Sequence, residues 1–494
     1  MNDQTKYLYG ASVQGIQNFI FQTNELKDIV GASELVEQIC TEAFKPFEQD
    51  GRPIVEAAGN IKFIFNNKEA CERAVLNFPR KVMNMASGVT ISQAVVRFEE
   101  ENFQQAVFTL EEKLKVQRNL PVASLSVGWT GVLRSRKTGL PAVPSQSKDF
   151  LDKATLQKRM CVRDAHMHLA EKSFGQRNLQ QRIAYNIGDL VQKNNWIAVV
   201  HADGNGLGNI VRTIGSEPDV LRAFSEALDQ ATCNSAQIAF KVFADEENAK
   251  IPLRPVVLGG DDMTAIIRGD KAFAYTVAYL RAFEEQTRAR LEEVCLRFPD
   301  LHSEQKEVLM KGLTACAGIA FVKVNYPFHY AYQLAEILCG VAKKDAKSID
   351  QDHPQSCLKF HKVQDSFIES YREIAARELT PCPHFSFDFG PYYLNPELAT
   401  VPAGRWSVDD LSRGIGILNK TEEKMGVRSG LRQWMTLLND GGIEMARQKR
   451  DRMLSLIFDR ETKDWVRNIT DGTCSPVYDL LSLYTILSQV IQNE

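Results

Sequence analysis

Two stretches of the sequence, VHADGNGLGN at residues 200–209 and VVLGGDDM at residues 256–263, decide the fold predicted for this chain. In the first stretch, Asp203 follows an apolar run and precedes a glycine-rich turn. In the second, two glycines and two aspartates separate two apolar runs, which is the pattern of a β-hairpin. Adjacent strands ending in these residues would bring three carboxylates together.

The same order of signals occurs earlier in the chain. Three pairs of segments correspond: YGASVQGIQN (9–18) with VHADGNGLGN (200–209), IVEAAGNI (54–61) with VVLGGDDM (256–263), and GVT (88–90) with GLT (312–314). Each copy reads as strand, helix, hairpin, helix and strand, which is a βαββαβ unit. The alternative is a pair of unrelated α/β domains whose amphipathic elements match by chance.

The two copies differ at the acidic positions. The correspondence places Asp203 opposite Ser12, Asp261 opposite Gly59, and Asp262 opposite Asn60. We therefore predict that the second copy is catalytic, that the first is its degenerate partner, and that the site lies at their interface.

The predicted fold class is α+β, with two ferredoxin-like βαββαβ domains in tandem, an inserted small subdomain and a C-terminal helical domain. The predicted boundaries are 1–116 for the first, degenerate domain, 117–190 for an inserted helical and basic subdomain, 191–350 for the catalytic domain, 351–406 for a linker region and 407–494 for the C-terminal helical domain.

Bulk properties exclude several classes of protein. The 494 residues contain 59 Lys and Arg against 62 Asp and Glu, so a strongly basic nucleic-acid-binding surface is not indicated. The sequence shows no run of eighteen apolar residues and no signal-peptide pattern, so we expect a cytoplasmic protein without a membrane partner. The ten cysteines form no Cys-x-x-Cys pair and are expected to be reduced thiols.

The three aspartates have the chemistry of a two-metal site. Phosphoryl transfer between nucleotides uses two divalent ions about 3.5–4 Å apart, and carboxylates are suitable hard ligands for Mg²⁺ or Mn²⁺. Asp203, Asp261 and Asp262 are therefore the candidate catalytic residues and metal ligands. The alternative is that an aspartate pair in a glycine-rich hairpin is only a turn.

Further residues are candidates for binding a nucleotide. The backbone after Asp203 leads into a helix, whose free N–H groups suit a phosphate, and the hairpin glycines allow positive φ angles and close approach. Lys343, our first choice, and Lys344 could neutralise the β- and γ-phosphates, or they could be a solvated cluster near a helix end. The full candidate set is Asn205, Gly206, Leu207, Gly208, Gly259, Gly260, Lys343, Lys344, Ser12 and Asn60.

These motifs, together with Ala342-Lys343, resemble the palm domain of the large polymerase/cyclase subunit of type III CRISPR systems and, more distantly, GGDEF-type cyclases. Residues 10–17, 26–33 and 57–60 are similar to that family's first, degenerate palm. The resemblance spans roughly residues 7 to 348. It identifies the chain as a compact relative that has no room before Tyr7 for the family's His-Asp (HD) nuclease domain.

The resemblance implies that ATP or another nucleoside triphosphate binds between two palms and is joined into a cyclic oligonucleotide, with release of pyrophosphate. Such products, cyclic oligoadenylate among them, signal to a downstream effector in antiviral defence. The implied metal ligands are Asp203, Asp261, Asp262 and the carbonyl of Gly204. Guide-RNA complex subunits or an RNA activator are the implied macromolecular partners, and a homo-oligomer remains open.

The chain departs from the family's pattern in ways that leave its setting open. Zinc-binding cysteines are missing around residues 134–141, and Asn205 stands where a second acidic residue is common. A subunit of an RNA-guided complex and a stand-alone enzyme answering another infection cue are both consistent with the sequence. The alternative function is a catalytically silent nucleotide- or RNA-binding scaffold of such a complex. A template-copying polymerase is disfavoured by the near-neutral charge.

Overall fold

The computed structural model describes residues 5–57, 59–120, 131–144, 150–184, 187–191, 196–215, 217–246, 250–364, 370–394, 404–421 and 426–491. Parts of the predicted insertion and of the predicted linker region lie outside these ranges.

The first repeat forms a four-stranded sheet. Its elements are β1 (Lys6–Gln14), α1 (Ile16–Ile20), α2 (Leu26–Cys40), β2 (Gly51–Ala57), β3 (Asn60–Phe65), α3 (Lys68–Met85), β4 (Thr90–Phe98) and the following helix α4 (Phe103–Arg118). The strand order is β2-β3-β1-β4, and each neighbouring pair is antiparallel. This is the order of a ferredoxin-like βαββαβ unit.

The predicted insertion contains the helices α5 (Lys153–Met160) and α6 (Val162–Phe174). Helix α5 packs on α2, and α6 packs on both α2 and α8 (Pro218–Ala239). The α2–α5 packing is close, because a Cβ atom at Gly31 would lie 1.8 Å from the carbonyl oxygen of Lys158. The Lys158 ammonium is buried and donates to the carbonyl of Phe19 at 2.6 Å. The insertion therefore packs on the first palm through α2, and α6 also packs on α8, a helix of the second repeat.

The second repeat has the same strand order within a larger sheet. Its elements are β5 (Trp196–Gly204), α7 (Leu207–Ile214), α8, β6 (Leu253–Gly259), β7 (Asp262–Arg268), α9 (Gly269–Arg297), α10 (Ser303–Met310), β8 (Ala315–Lys323) and α11 (Phe328–Ile349). The sheet has the order β11-β10-β9-β8-β5-β7-β6, so β8-β5-β7-β6 repeats the order β4-β1-β3-β2. The predicted α+β fold with two ferredoxin-like domains is confirmed.

The segment 351–406, taken from the sequence as a linker region, supplies three strands of this sheet. Its elements are β9 (Cys357–Lys362), α12 (Tyr371–Glu378), β10 (Tyr392–Tyr393) and β11 (Trp406–Ser407). Strand β9 runs parallel to β8 and is buried along its whole length. The sequence of β9 does not indicate this burial, because polar residues alternate with apolar ones as in a strand with one exposed face. Lys359 is buried with partners: its ammonium donates to Asp388 at 2.6 Å and to the carbonyl of Gly390 at 2.7 Å.

The last described part of the chain is helical. Its elements are α13 (Val408–Thr421), α14 (Val427–Asn439), α15 (Ile443–Leu456), α16 (Arg460–Thr470) and α17 (Val477–Ile491). Among the described residues, no helix combines the length and the apolar character needed to cross a membrane. The ten cysteines are all free thiols. The exact domain boundaries stay a prediction.

The chain groups into two compact units. The first contains residues 1–189, 206–264 and 282–313, and the second contains residues 190–205, 265–281 and 314–494. Strand β7 and helix α9 contribute residues to both units.

Candidate active site

Three aspartates meet on the larger sheet, as the sequence predicted. Strand β5 is buried from Trp196 to Ala202 and reaches Asp203 near its end, and its neighbour β7 begins at Asp262. Asp203, Asp261 and Asp262 each offer a carboxylate oxygen, and these atoms lie within 4.8 Å of one another. All three side chains are partly exposed. Such close negative charges repel, and hard divalent cations such as Mg²⁺ or Mn²⁺ prefer this set of oxygen ligands.

The corresponding positions of the first palm have the opposite character. Ser12 and Asn60 are register partners on β1 and β3, and the Ser12 hydroxyl donates to Asn60 Oδ1 at 3.0 Å. This pair is uncharged and satisfies its own hydrogen-bonding groups. It therefore offers no charge that would bind a divalent ion, which agrees with its predicted role as the degenerate copy.

The hairpin that carries the acidic pair turns in two residues, Gly260 and Asp261. Gly260 adopts a φ of 62°, in the left-handed region that favours glycine, whereas Gly259 does not have a positive φ. The expectation that both glycines serve a positive φ is therefore wrong for Gly259. In the first palm the turn glycine, Gly59, has a φ of 79°.

The ammonium of Lys343 contacts two predicted metal ligands. Its nitrogen atom is 2.6 Å from Asp203 Oδ2 and 2.7 Å from the carbonyl oxygen of Gly204. The ammonium thus donates to two oxygen atoms that the sequence assigned to a metal, whereas the sequence had assigned Lys343 to the phosphates. Lys344, the next residue on α11, is exposed.

The glycine-rich turn after Asp203 leads into helix α7. Gly206 is the N-cap of α7 with a φ of 82°, as Gly15 is of α1 with a φ of 66°. Asn205 is buried: its backbone N–H donates to the carbonyl of Thr314 at 2.7 Å, and its Nδ2 donates to Thr314 Oγ1 at 3.1 Å. Asn205 thus ties the turn to the start of β8, and these contacts give no support to its predicted contact with a nucleotide.

A cavity of about 300 Å³ within the first unit connects the acidic turn with the first palm. Its floor is largely apolar, and Lys62, Glu111 and Arg118 add charge, with Lys62 paired to Glu111 at 2.5 Å. An apolar space with a few polar groups suits a small organic ligand. The lining residues are Ala11, Val55, Asn60, Ile61, Lys62, Glu111, Leu114, Arg118, Leu207, Val211, Leu221, Phe224, Ser225, Leu228, Gly260 and Asp261.

Three charged residues of this cavity, Lys62, Glu111 and Arg118, were not predicted from the sequence. Lys62 belongs to β3 and the other two to α4, and they share a wall with Leu207 and Asp261 only because distant segments pack together. No local motif marks them. Of the predicted nucleotide-binding residues, Leu207, Gly260 and Asn60 line the cavity.

Comparisons with known proteins bear on the family. The sequence model of the family described as Cas10/Cmr2, second palm domain, matches residues 196–350. No curated protein matches the chain. Three similar solved structures are a Csm1-Csm4 cassette in complex with pppApApA (14% identity over 99% of this chain and 70% of that chain, TM-score 0.56), the cassette in complex with cA4 (13%, 99% and 70%, 0.52) and Csm1 in T. onnurineus (14%, 98% and 69%, 0.54).

The predicted resemblance to the large subunit of type III CRISPR systems is confirmed over residues 196–350, where the model of the second palm domain matches, and the similar solved structures share the fold. At 13–14% identity the structural likeness shows the fold alone. The roles of individual site residues stay predictions.

Proposed function

We propose, on the premise that this chain carries a palm domain of the Cas10/Cmr2 family, that it is a metal-dependent nucleotidyltransferase. It joins ATP or another nucleoside triphosphate into a cyclic oligonucleotide and releases pyrophosphate. The observation that carries this proposal is the aspartate cluster, whose carboxylate oxygens lie within 4.8 Å of one another. Similar solved structures are described as complexes with cA4, cA3 and pppApApA, which supports this class of ligand.

Each joining step replaces one phosphorus–oxygen bond by another. A ribose hydroxyl of one nucleotide attacks the α-phosphorus of a second nucleotide and loses its proton. The bond between that phosphorus and the pyrophosphate oxygen breaks, and pyrophosphate leaves. Asp203, Asp261, Asp262 and the Gly204 carbonyl would hold Mg²⁺ or Mn²⁺, which supplies activation of the hydroxyl and stabilisation of the leaving pyrophosphate. The chain itself contributes mainly position and charge.

The cavity accounts for substrate binding in this proposal. Apolar side chains such as Leu114, Phe224 and Leu228 would contact a nucleoside, and the cations Lys62 and Arg118 would face its phosphates. The amide groups at the start of α7, next to Leu207, provide a second phosphate contact. When a divalent ion binds Asp203, Lys343 would be free to turn towards the triphosphate, which reconciles its present contacts with its predicted role.

The proposed biological role follows the family. The cyclic product would activate an effector in antiviral defence, and the likeness to Csm1-Csm4 cassettes supports a place in a multi-subunit RNA-guided complex over a stand-alone enzyme. A second candidate is a silent nucleotide- or RNA-binding scaffold. The contacts of Lys343 with Asp203 and Gly204 favour it, because the ammonium competes with a cation for these two oxygen atoms.

The test is product formation by the purified chain from a mixture of the four ribonucleoside triphosphates with Mg²⁺ or Mn²⁺, with and without added RNA. Mass spectrometry of the products gives the base and the ring size, and a pyrophosphate assay gives the rate of joining. We expect Asp261→Ala/Asp262→Ala to abolish product and Asp300→Ala, an exposed aspartate of the same palm, to leave it unchanged. Nucleotide binding without pyrophosphate release under every condition would support the scaffold instead.

A further inference from the structure

Two side chains of helix α8 hold the backbone of the acidic turn. The Thr232 hydroxyl donates to the carbonyl of Gly260 at 2.5 Å, and Asp229 Oδ1 accepts the N–H of Gly260 at 3.3 Å. Residues three apart lie on one face of a helix, so a single helical turn supplies both contacts. They fix the peptide groups on both sides of Gly260, and the second of these peptides leads directly to Asp261.

Asp229 also gives a reason for the glycine at position 259. Gly259 has no positive φ, so its backbone conformation does not require glycine. A Cβ atom there would lie 3.3 Å from Asp229 Oδ1, tighter than most real contacts. The two glycines therefore have different roles: Gly260 permits the turn, and Gly259 leaves room for the carboxylate that holds it.

The charge of Asp229 is balanced by the inserted subdomain. Lys172 on α6 pairs with Glu37 of α2 at 2.5 Å. Burial acts to lower the pKa of the Lys172 ammonium, but the charges of Glu37 and Asp229 raise it. An ionised carboxylate accepts stronger hydrogen bonds than a neutral group. A cation from α6 thus supports the contact between α8 and the turn.

In the first palm, a neutral group faces the turn of the hairpin. Helix α2 is the counterpart of α8 in the repeat, and the thiol of its Cys40 lies within hydrogen-bonding reach of the Gly59 backbone. Burial raises the pKa of Cys40 to about 12, so this thiol is uncharged. Among the described residues of the first palm, the helix group that faces the turn at Gly59 is thus a neutral thiol rather than a carboxylate.

We propose that Asp229 and Thr232 are positioning residues that hold the Gly259–Gly260 peptide and the Gly260–Asp261 peptide, respectively, in the orientation at which Asp261 and Asp262 can share metal ions with Asp203. Neither side chain has to touch the metal or the nucleotide. Rotation of these peptides would swing the Asp261 carboxylate out of the cluster. The proposal deepens the proposed function and rests on it, because the positioned groups are its metal ligands.

The experiment compares variants that remove each contact with variants that keep it. Asp229→Ala and Thr232→Val remove the acceptor and the donor, whereas Asp229→Asn and Thr232→Ser keep a hydrogen-bonding group. Gln230→Ala is the matched control, since Gln230 is exposed on the same helix and bonds only to Asn234 among the described contacts. The readouts are the half-saturating Mn²⁺ concentration for product formation and hydrogen–deuterium exchange of the peptide covering residues 256–263.

We expect Asp229→Ala and Thr232→Val to raise the half-saturating Mn²⁺ concentration by about tenfold or more, as is typical for residues that orient metal ligands. Hydrogen–deuterium exchange in the hairpin should be faster in both variants. Thr232→Ser should lie near the wild type, Asp229→Asn should fall between the wild type and Asp229→Ala because it keeps the acceptor without the charge, and Gln230→Ala should match the wild type. Wild-type Mn²⁺ dependence and wild-type exchange in Asp229→Ala would overturn the proposal. If Asp229→Ala does not fold, Thr232→Val decides by the same two readouts.

The two proposals fail in different ways. If the wild-type chain forms no product, the proposed function is wrong. Hydrogen–deuterium exchange of the hairpin and calorimetric titration with Mn²⁺ still test the contacts in that case. Exchange that rises in Asp229→Ala while Mn²⁺ binding stays at the wild-type level would show that the contacts are structural only, and it would overturn the positioning role.

Discussion

At the residue scale, the sequence was sufficient to find the aspartates but not their neighbours. Asp203, Asp261 and Asp262 are chemically distinctive, and each ends or begins an apolar strand, so local patterns predict their meeting. The partners of Asn205 and Lys343 depend on packing between segments far apart in the chain. The same holds for Asp229. Its sequence context predicts only a helical residue, and its contact with Gly260 depends on the packing of α8 against the hairpin.

Lys343 gives the prediction that belongs to this scale. Its ammonium holds Asp203 and the Gly204 carbonyl, and in the proposed reaction it faces the phosphates. We expect Lys343→Ala to lower the rate of pyrophosphate release by about 10²-fold or more, in the range found when one preorganised charge is removed from an active site. Lys311→Ala is the control because Lys311 is an exposed lysine of the same palm outside the candidate site, and its rate should stay at the wild-type value. Equal rates in the two variants would contradict the role given to Lys343.

At the element scale, the βαββαβ repeats follow from alternating apolar patterns and turn residues, and both sheets have the strand order that these patterns predict. The extension of the second sheet by β9 was missed because its buried Lys359 and His361 break the apolar pattern. Such residues are buried only with partners or in an uncharged form. A single sequence does not show which partners exist.

The packing of α11 on β8 leads to the next prediction. A Cβ atom at Gly318 would lie 1.9 Å from the carbonyl oxygen of Ala335, so strand and helix meet at this glycine. We expect Gly318→Ala to force them apart and to lower the free energy of unfolding by about 1–3 kcal/mol or more, as overpacked cores do. Since α11 carries Lys343, the rate of product formation should fall as well. Urea denaturation and the pyrophosphate assay measure the two effects.

Gly340 on the same helix is the matched control. A Cβ atom at this exposed position meets nothing within 4 Å, and alanine is favoured over glycine in a helix by about 0.5–1 kcal/mol. Gly340→Ala should therefore leave activity unchanged and slightly raise the free energy of unfolding. A Gly318→Ala variant as stable as Gly340→Ala would show that α11 and β8 are not in close contact.

At the scale of the whole molecule, stability depends on polar groups that β9 carries into the interior. His361 is 2% exposed and stacks on Tyr478 of α17 with ring centroids 5.9 Å apart. Burial lowers its pKa to about 4, although Glu378 and Asp388 act in the opposite direction. In the unfolded chain the imidazole titrates near 6.5. The unfolded state therefore binds the proton more tightly, and stability is lost as the pH falls from 6.5 towards 4.

The size of this effect can be measured by difference. Between pH 8 and pH 5, His361 should lower the free energy of unfolding by about 2 kcal/mol, so urea denaturation of the wild type should show this loss relative to His361→Gln. The variant cancels the contributions of the other titrating groups. His361 Nε2 also lies 3.7 Å from Glu378, and a charged pair there would act with the opposite sign, stabilising the wild type on acidification. We expect burial to prevail because the ring is enclosed and the carboxylate is beyond hydrogen-bonding distance. A wild type that gains stability relative to His361→Gln at pH 5 would show that the ion pair is the stronger effect.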